Sequence, residues 1–361
     1  MANLLQNKEL IIKDCEFFIS LLNYIIPFID RRSIKYLSYS CNNIRFWCLN
    51  KNLLHYTLKS KYILYYKASS ILRQTFITNN IKIDKCLTII ANYNSRRNLI
   101  TSGHGFENIY SLSLCECDNL IDISTLGNIH TLDLSHCPLI TDVSNLGNIH
   151  TLNLSYCPLI TDVSNLGNVY MLKLNHCYNI TDVSKLGNNY ILDLSNCHQI
   201  TDVSTLGNIY QLYLKNCYKL TDISKLGNNY ILDLSHCKLI TDVSNLGNVY
   251  MLNLSNCKQI TDVSNLCNVH ILNVSRCNIT DVSKLGTVHT LNVSNCKKIT
   301  DVSKLGTVYN LNLANCKITD VSKLGNVHTL NLSQCKKITD VSTLRNVHTL
   351  KLLGCTNVIG M

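Results

Sequence analysis

The chain has 361 residues, of which 46% are hydrophobic, so it is not a disordered chain and is long enough for a repeat array or two domains. Its formal net charge is +10, and residues 1–100 carry all of this excess, because they hold 15 Lys and Arg against 5 Asp and Glu while the rest holds 18 of each. These cations are spread through apolar sequence and do not cluster with aromatic residues, which disfavours a nucleic-acid partner.

The first segment, residues 1–58, is predicted to be a helical module. From Phe17 onward its apolar residues follow helical spacing, and Asp30 and Ser33 are suitable N-caps between short helices. The start of the chain lacks the pattern of an export signal, and no stretch of about 18 apolar residues occurs. We therefore expect no membrane partner and a cytoplasmic location, in which thiols stay reduced.

Residues 59–108 are interpreted as a helical linker and an N-terminal cap. The sequence KYILYYKASSILRQTF, residues 61–76, predicts a helix. The remainder of this segment is expected to cover the first coil of the array that follows.

Residues 109–361 are dominated by a repeat. Its pattern is I-x-x-L-x-L-S-x-C-x-x-I-T-D-V-S-x-L-G-N, with a period of 20 residues, as in residues 129–148 and 149–168. One cysteine per period, from Cys117 to Cys355, marks 13 units, and the intervals after Cys277 and Cys316 shorten to 19 residues.

The Leu-x-Leu step of each unit is predicted to be a short parallel strand with its leucines pointing inward. A parallel strand must return through a crossover, and this crossover is too short for a full helix. We therefore expect extended chain and one tight 3₁₀-like turn, with Gly147 and Asn148 supplying the permissive turn geometry. Stability should come from stacking of neighbouring coils, and the inward residues of one coil are Ile149, Leu152, Leu154, Cys157, Ile160, Val163 and Leu166.

The repeated cysteines and aspartates raise the question of chemistry. Zinc sites need closely spaced cysteine pairs, whereas these cysteines come one per coil and His-Cys neighbours such as His136–Cys137 recur irregularly. We interpret the thiols as structural and expect no metal and no cofactor. The aspartate of each I-T-D step, such as Asp202, can accept N–H groups at the start of the tight turn. It is thus predicted to be a cap, and with no catalytic motif present the protein is not expected to be an enzyme.

The outward strand positions form the predicted binding surface. One column is apolar in the central coils, where the end coils have Thr131 and Thr349. Exposed apolar residues with a polar rim often mark a partner site, although neutral drift within a repeat explains the column equally well. The residues predicted to contact a target are Met171, Ile191, Tyr213, Ile231, Met251 and Ile271.

A further column alternates Tyr and His along one edge of the strands. Aromatic stacking between coils is the structural interpretation, and a pH response of the histidines is the alternative. The column consists of His130, His150, Tyr170, Tyr190, Tyr210, Tyr230, Tyr250, His270 and His289.

Two parts of the chain resemble known families. The pattern L-x-L-S-x-C-x-x-I-T-D is similar to the cysteine-containing leucine-rich repeats of F-box/LRR proteins, and the short I-T-D-V-S-x-L run resembles internalin and protein-phosphatase-regulator repeats. The sequence PFIDRRSIKYLSYSCNNI, residues 27–44, resembles an F-box, in which Leu37-Ser38 matches the family's Leu-Ser step. With its Asn-, Ile-, Lys- and Tyr-rich composition, the combination resembles F-box/LRR proteins of mimivirus-type giant viruses.

The resemblance implies an α/β solenoid of short leucine-rich repeats, with parallel strands on a concave face, an irregular or 3₁₀ convex side, and a small all-helical F-box-like module at residues 1–58. An F-box binds a Skp-type adaptor of cullin-containing ubiquitin ligases. The residues expected to bind that adaptor are Ile25, Ile26, Phe28, Ile29, Ile34, Leu37, Cys41, Ile44 and Trp47.

The functional hypothesis is a substrate-recognition subunit of an SCF-type ubiquitin ligase. The helical module would hold the Skp adaptor and cullin, and the concave face would hold an unknown protein target, in the host cytoplasm if the protein is viral. The alternative is a stand-alone scaffold or inhibitor whose N-terminal helices only cap the solenoid. An internalin-like adhesin is disfavoured by the missing export signal and the abundant free thiols.

Overall fold

The computed structural model describes residues 102–104, 106 and 109–358, together with the backbone of residues 56–58 and 87–90. The chain divides into two compact units, Met1–Leu134 and Ser135–Met361. The residues expected to bind an adaptor, from Ile25 to Trp47, lie outside the described residues. That assignment, like the domain divisions at residues 58 and 108, stays a prediction.

In the first unit, the described strands pair in parallel and in sequence order. β1 (Tyr56–Leu58) pairs with β2 (Leu87–Ile90), β2 with β3 (Ser111–Ser113), and β3 with β4 (Thr131–Asp133). β1 and β2 precede the first unit of the repeat, and the sequence did not predict them. Neither strand is followed by the Cys and Thr-Asp-Val-Ser steps that identify the later coils.

In the second unit, each described strand has three residues and pairs in parallel with the next one. Together with β3 and β4 these strands confirm the predicted parallel Leu-x-Leu step. They are β5 (Thr151–Asn153), β6 (Met171–Lys173), β7 (Ile191–Asp193), β8 (Gln211–Tyr213), β9 (Ile231–Asp233), β10 (Met251–Asn253), β11 (Ile271–Asn273), β12 (Thr290–Asn292), β13 (Asn310–Asn312), β14 (Thr329–Asn331) and β15 (Thr349–Lys351).

The crossovers are short, as predicted, and several contain one 3₁₀ turn. The two 19-residue coils do not disturb the pairing, because Asn273 still aligns with Asn292 and Asn312 with Asn331. The 3₁₀ turns are Ser144–Leu146, Ser164–Asn168, Leu226–Asn228, Ser244–Leu246, Ser264–Leu266, Leu285–Thr287 and Ser342–Leu344.

The glycine of the Leu-Gly-Asn step has a different role from the one predicted. Gly147 has an ordinary φ of −64°, and Cys267 occupies the equivalent position with the same φ, so no unusual turn geometry is needed. A Cβ on Gly147 would lie 2.4 Å from the backbone oxygen of Asn165 in the next coil. At Gly147 it is therefore the close approach of the next coil, and not the φ angle, that leaves no room for a side chain.

One residue per coil, directly before the cysteine, has a positive φ although it is not glycine. The φ values lie between 58° and 65°, in the left-handed region that Asn tolerates better than most residues. This conformation turns the chain out of each strand, and the repeat pattern did not predict it. The residues are Glu116, His136, Tyr156, His176, Asn196, Asn216, His236, Asn256, Arg276, Asn295, Asn315 and Gln334.

The core of each coil lies between the strand and the crossover. All seven inward residues predicted for the coil at 149–166 are buried, with at most 2% of each exposed. Two coils depart from the pattern, because the buried Asn189 and Asn229 replace the aliphatic residue before the aromatic edge column.

The aspartate of the I-T-D step accepts a hydrogen bond, as predicted. In Asp142 and Asp162, Oδ1 accepts the backbone N–H of the serine two residues later, at 2.9 Å. The bond lowers the pKa of each carboxyl, since it favours the charged form. These exposed side chains are thus local caps at the start of the 3₁₀ turns.

Candidate functional site

The candidate site is the outward side of strands β6 to β11, which we call the strand face. In each strand the central leucine is buried, and the first and third residues are partly exposed, except that Lys173 on β6 is exposed. Since the strands pair in parallel without slippage, equivalent residues form straight columns across the sheet.

The first column of the strand face is apolar. Met171 aligns with Ile191, and Met251 aligns with both Ile231 and Ile271. Gln211 lies between Ile191 and Ile231 and interrupts the column. The structure thus brings together five of the six residues predicted to contact a target, in one stripe.

The sixth predicted residue, Tyr213, lies in the neighbouring column. It aligns with Asp193 on β7 and with Asp233 on β9. Its hydroxyl donates a hydrogen bond of 3.2 Å to Oε1 of Gln211. This bond restrains the orientation of both side chains on β8. Burial, with a smaller effect of the two aspartates, raises the pKa of Tyr213.

The Tyr and His column at the strand edge forms a continuous stack in the second unit, which confirms the structural interpretation. Consecutive ring centroids are 4.4–4.9 Å apart, and the rings are nearly parallel. The stack runs beyond the predicted column, through Tyr309 and His328 to His348. Burial, together with neighbouring tyrosines, raises the pKa of Tyr190 and Tyr230.

A second aromatic cluster lies where the chain leaves the strands, and sequence reasoning missed it. Tyr156 stacks between His136 and His176 at centroid distances of 4.1 and 4.0 Å. His198 stacks on Tyr218 at 4.7 Å, and Lys238 Nζ lies 4.8 Å from the centroid of Tyr218. The signal in the sequence is the recurrence of His and Tyr at the 20-residue period on either side of the cysteines.

The cysteine ladder is part of the core. The Sγ of Cys177 donates to the backbone oxygen of Leu154, and that of Cys197 to Leu174, at 3.1 and 3.2 Å. Burial raises the pKa of Cys197 and Cys257 to about 12, so these thiols stay protonated at neutral pH. Their burial and their bonds to the preceding coil confirm a structural role.

Shallow clefts occur between successive crossovers on the side opposite the strands. One is lined by Thr161, Asp162, Ser164 and Lys185, and equivalent residues line a second cleft at 300–324. Because equivalent clefts also occur between the crossovers at 261–285 and 280–304, the shape follows from the repeat and not from a specialised centre. Among the residues that the structure describes, no helix is long and apolar enough to cross a bilayer.

Comparisons with known proteins agree with this architecture. A family model described as Leucine Rich repeat matches residues 265–283. The structure is similar to an internalin, InlF, from Listeria monocytogenes str. 4b F2365, with 25% identity and a TM-score of 0.52 over 70% of this chain and 87% of that chain. It is also similar to TLR13 in its complex with ssRNA13, with 19% identity and a TM-score of 0.51 over 74% of this chain and 49% of that chain.

The functional domain of InlJ from Listeria monocytogenes, described as including a cysteine ladder, aligns with 19% identity and a TM-score of 0.48 over 73% of this chain and 64% of that chain. No curated protein sequence matches the chain. The family match and the likeness to InlF and TLR13 identify the array as a solenoid of leucine-rich repeats with parallel strands and little helix.

Proposed function

We propose that this protein is a non-enzymatic protein-interaction module that binds a protein partner on its strand face. The observation that carries the proposal is the apolar stripe formed by Met171, Ile191, Ile231, Met251 and Ile271. Further along the same column, β12 to β15 carry Thr or Asn. A column of partly exposed apolar residues, interrupted here by Gln211 alone among β6 to β11, is typical of a partner site when polar residues surround it.

The charge and shape of the array also support a protein partner. Residues 101–361 carry 18 Lys and Arg against 18 Asp and Glu, whereas a nucleic-acid surface needs an excess of cations. TLR13, to which the fold is similar, was crystallised with ssRNA13, and the balanced charge of this array argues against that ligand class here. The repeated clefts between crossovers offer no single deep pocket for a small substrate.

The proposal is tested by placing a charge in the stripe. Ile231→Glu should abolish binding of the partner, because a carboxylate in a desolvated apolar contact is strongly unfavourable. Thr329→Glu is the matched control, since Thr329 occupies the same column on β14. The measurement is quantitative affinity capture from cell extract with the wild-type chain and both variants, after thermal melting has established that all three are folded.

The expected result is a set of proteins that Ile231→Glu loses and Thr329→Glu retains. Identical capture by the wild type and Ile231→Glu would contradict the proposal, because the strand face would then not be the surface in contact.

A finer proposal is that the bound partner is a target presented for ubiquitin transfer. It is supported by the resemblance of residues 27–44 to an F-box, with Leu37-Ser38 at the family's Leu-Ser step. In that role the chain would tether a target and an adaptor, and would raise their effective concentration without performing chemistry. The alternative is a stand-alone scaffold or inhibitor, which needs the same strand face but no adaptor.

A further inference from the structure

Three consecutive coils at the centre of the second unit are distinct from the rest. Residues 185–195 and 225–235 have the identical sequence KLGNNYILDLS. They flank one coil whose strand carries Gln211 and Tyr213, where both flanking strands carry Ile and Asp. On the strand face, two identical strands, β7 and β9, therefore border the unique strand β8.

This arrangement places a tyrosine between two aspartates in the register of the sheet. Tyr213 aligns with Asp193 on one side and Asp233 on the other, and neighbouring strands lie roughly 4.8 Å apart. The ring is held by the hydrogen bond from its hydroxyl to Gln211. Burial raises the pKa of Tyr213, and the charges of Asp193 and Asp233 raise it to a smaller extent.

The two carboxylates are themselves fixed in position. In Asp193, Oδ1 accepts the backbone N–H of Ser195 at 2.9 Å, and in Asp233 it accepts that of Ser235 at 2.8 Å. A carboxylate has two oxygens and can accept further donors. Each side chain can therefore bind a cation without losing its internal hydrogen bond.

The surrounding charges define where a cation would bind. Lys173 aligns with Asp193 on the far side from Tyr213, and Asn253 aligns with Asp233. Lys215 follows Tyr213 by two residues and is exposed. Along this column an aspartate thus lies on each side of Tyr213, and Lys173 lies beyond Asp193.

We propose that Asp193, Tyr213 and Asp233 form a subsite of the strand face that binds one Arg or Lys side chain of the protein partner. A cation within about 6 Å of an aromatic ring is attracted by the ring, and flanking carboxylates add charge-assisted hydrogen bonds. The apolar stripe beside it, with Ile191 and Ile231, contacts the apolar residues that flank this cation in the partner. The inference rests on the proposed function and specifies the chemistry of the partner.

The test uses the full-length protein with isotope-labelled tyrosine rings and two probes, the peptides acetyl-Gly-Arg-Gly-amide and acetyl-Gly-citrulline-Gly-amide. Citrulline has the shape of arginine without its charge. We expect saturable shifts of the Tyr213 ring signals with the arginine peptide, and about ten-fold weaker binding of the citrulline peptide.

The double variant Asp193→Asn/Asp233→Asn should weaken binding of the arginine peptide by a similar factor. We expect this variant to fold, because Asn153 and Asn253 occupy the same position in other coils. Each accepts the backbone N–H of the equivalent serine, Ser155 or Ser255, at 3.1 Å. Asp133→Asn is the matched control. Asp133 occupies this strand position on β4, where its neighbour is Ser113 and not a tyrosine, so binding should be unchanged.

Equal binding of the two peptides, no response of Tyr213 to the arginine peptide, or full binding by the double variant would each overturn the subsite. Such a result leaves the proposed function intact if Ile231→Glu still loses the partner. Conversely, unchanged partner capture by Ile231→Glu overturns the proposed function even where the arginine peptide binds at Tyr213.

Discussion

At the scale of single residues, the aspartates of the I-T-D step show how a row of like charges is tolerated. Asp202 accepts the backbone N–H of Ser204 at 2.8 Å. This bond is the largest cause of its lowered pKa, whereas Asp182 and Asp222 in the neighbouring coils raise the pKa to a smaller extent. The local hydrogen bond therefore outweighs the repulsion between coils.

We expect Asp202→Ala to lower the thermal unfolding midpoint, because the backbone N–H of Ser204 loses its acceptor. Because the pKa is lower in the folded state, this contribution to stability is present above about pH 4 and is lost as the pH falls through the folded-state pKa. The difference in midpoint between wild type and variant should therefore narrow in acid. Calorimetry at neutral pH and near pH 3 measures both effects.

Asp202→Asn is the control for this prediction, since its amide oxygen can still accept the bond while the repulsion from Asp182 and Asp222 disappears. Its midpoint should stay near that of the wild type. If Asp202→Ala melts at the wild-type temperature at neutral pH, the capping role is wrong.

At the scale of the coil, the two asparagines of the core are the clearest departure from the repeat. Asn189 and Asn229 are 3% and 1% exposed, and each Nδ2 donates to a backbone oxygen of the preceding coil, Leu166 or Leu206, at 3.0 Å. Within the described structure, neither Oδ1 has a hydrogen-bond partner. A buried polar atom without a partner destabilises the folded state.

We expect Asn189→Val to increase the free energy of unfolding by about 1 kcal/mol, because it removes the unpaired oxygen and leaves an apolar core. Valine fits at this position, since Val169 and Val249 are buried at the same position of other coils. The oxygen of Leu166 keeps a donor, because it also accepts the N–H of Val169. The bond that Nδ2 of Asn189 donates to the oxygen of Val169 is lost, which opposes the gain. Urea denaturation of the two proteins measures the difference.

The reverse change, Val169→Asn, provides the comparison and should destabilise the protein. A decrease in stability for Asn189→Val would mean that the bonds donated by Nδ2 contribute more than the unpaired oxygen costs, so that the asparagine stabilises its coil.

At the scale of the whole molecule, both the net charge and the repeat distinguish the first segment of the chain from the array that follows. The net charge of +10 belongs to residues 1–100, and the array that follows is neutral. Adaptor binding by the first segment and target binding by the strand face stay proposals, and each can be tested separately. The neutral array carries local charges of both signs, as at Lys173, Asp193 and Asp233.

If the first segment binds a Skp-type adaptor, the full-length protein should capture the adaptor and its cullin, and Leu37→Glu should lose both. Leu37 is predicted to lie on the apolar adaptor-binding surface, where a carboxylate is unfavourable. A pull-down with purified adaptor measures this, and Ile231→Glu serves as the control because it should retain the adaptor. Failure of the folded wild-type chain to capture the adaptor would leave the scaffold or inhibitor alternative.

Much of the array follows from the 20-residue period alone. Parallel stacking repeats each residue one coil further on, so the period predicts the inward leucines, the buried cysteines, the aspartate caps and the aromatic stack from His150 onward. The apolar stripe was predictable for the same reason. Each of these features depends only on which residues recur at the same position.

Contacts between coils required the tertiary structure. The close approach of Gly147 to the oxygen of Asn165 depends on the spacing between coils. The left-handed position before the cysteine holds residues as different as Glu116 and Tyr156, so residue type does not reveal it. Likewise, β1 and β2 lack the repeat's motif, but they pair with each other and β2 pairs with the first strand of the repeat, β3. The position of Tyr213 between Asp193 and Asp233 combines residues 20 positions apart, and only the register of three neighbouring strands makes them one site.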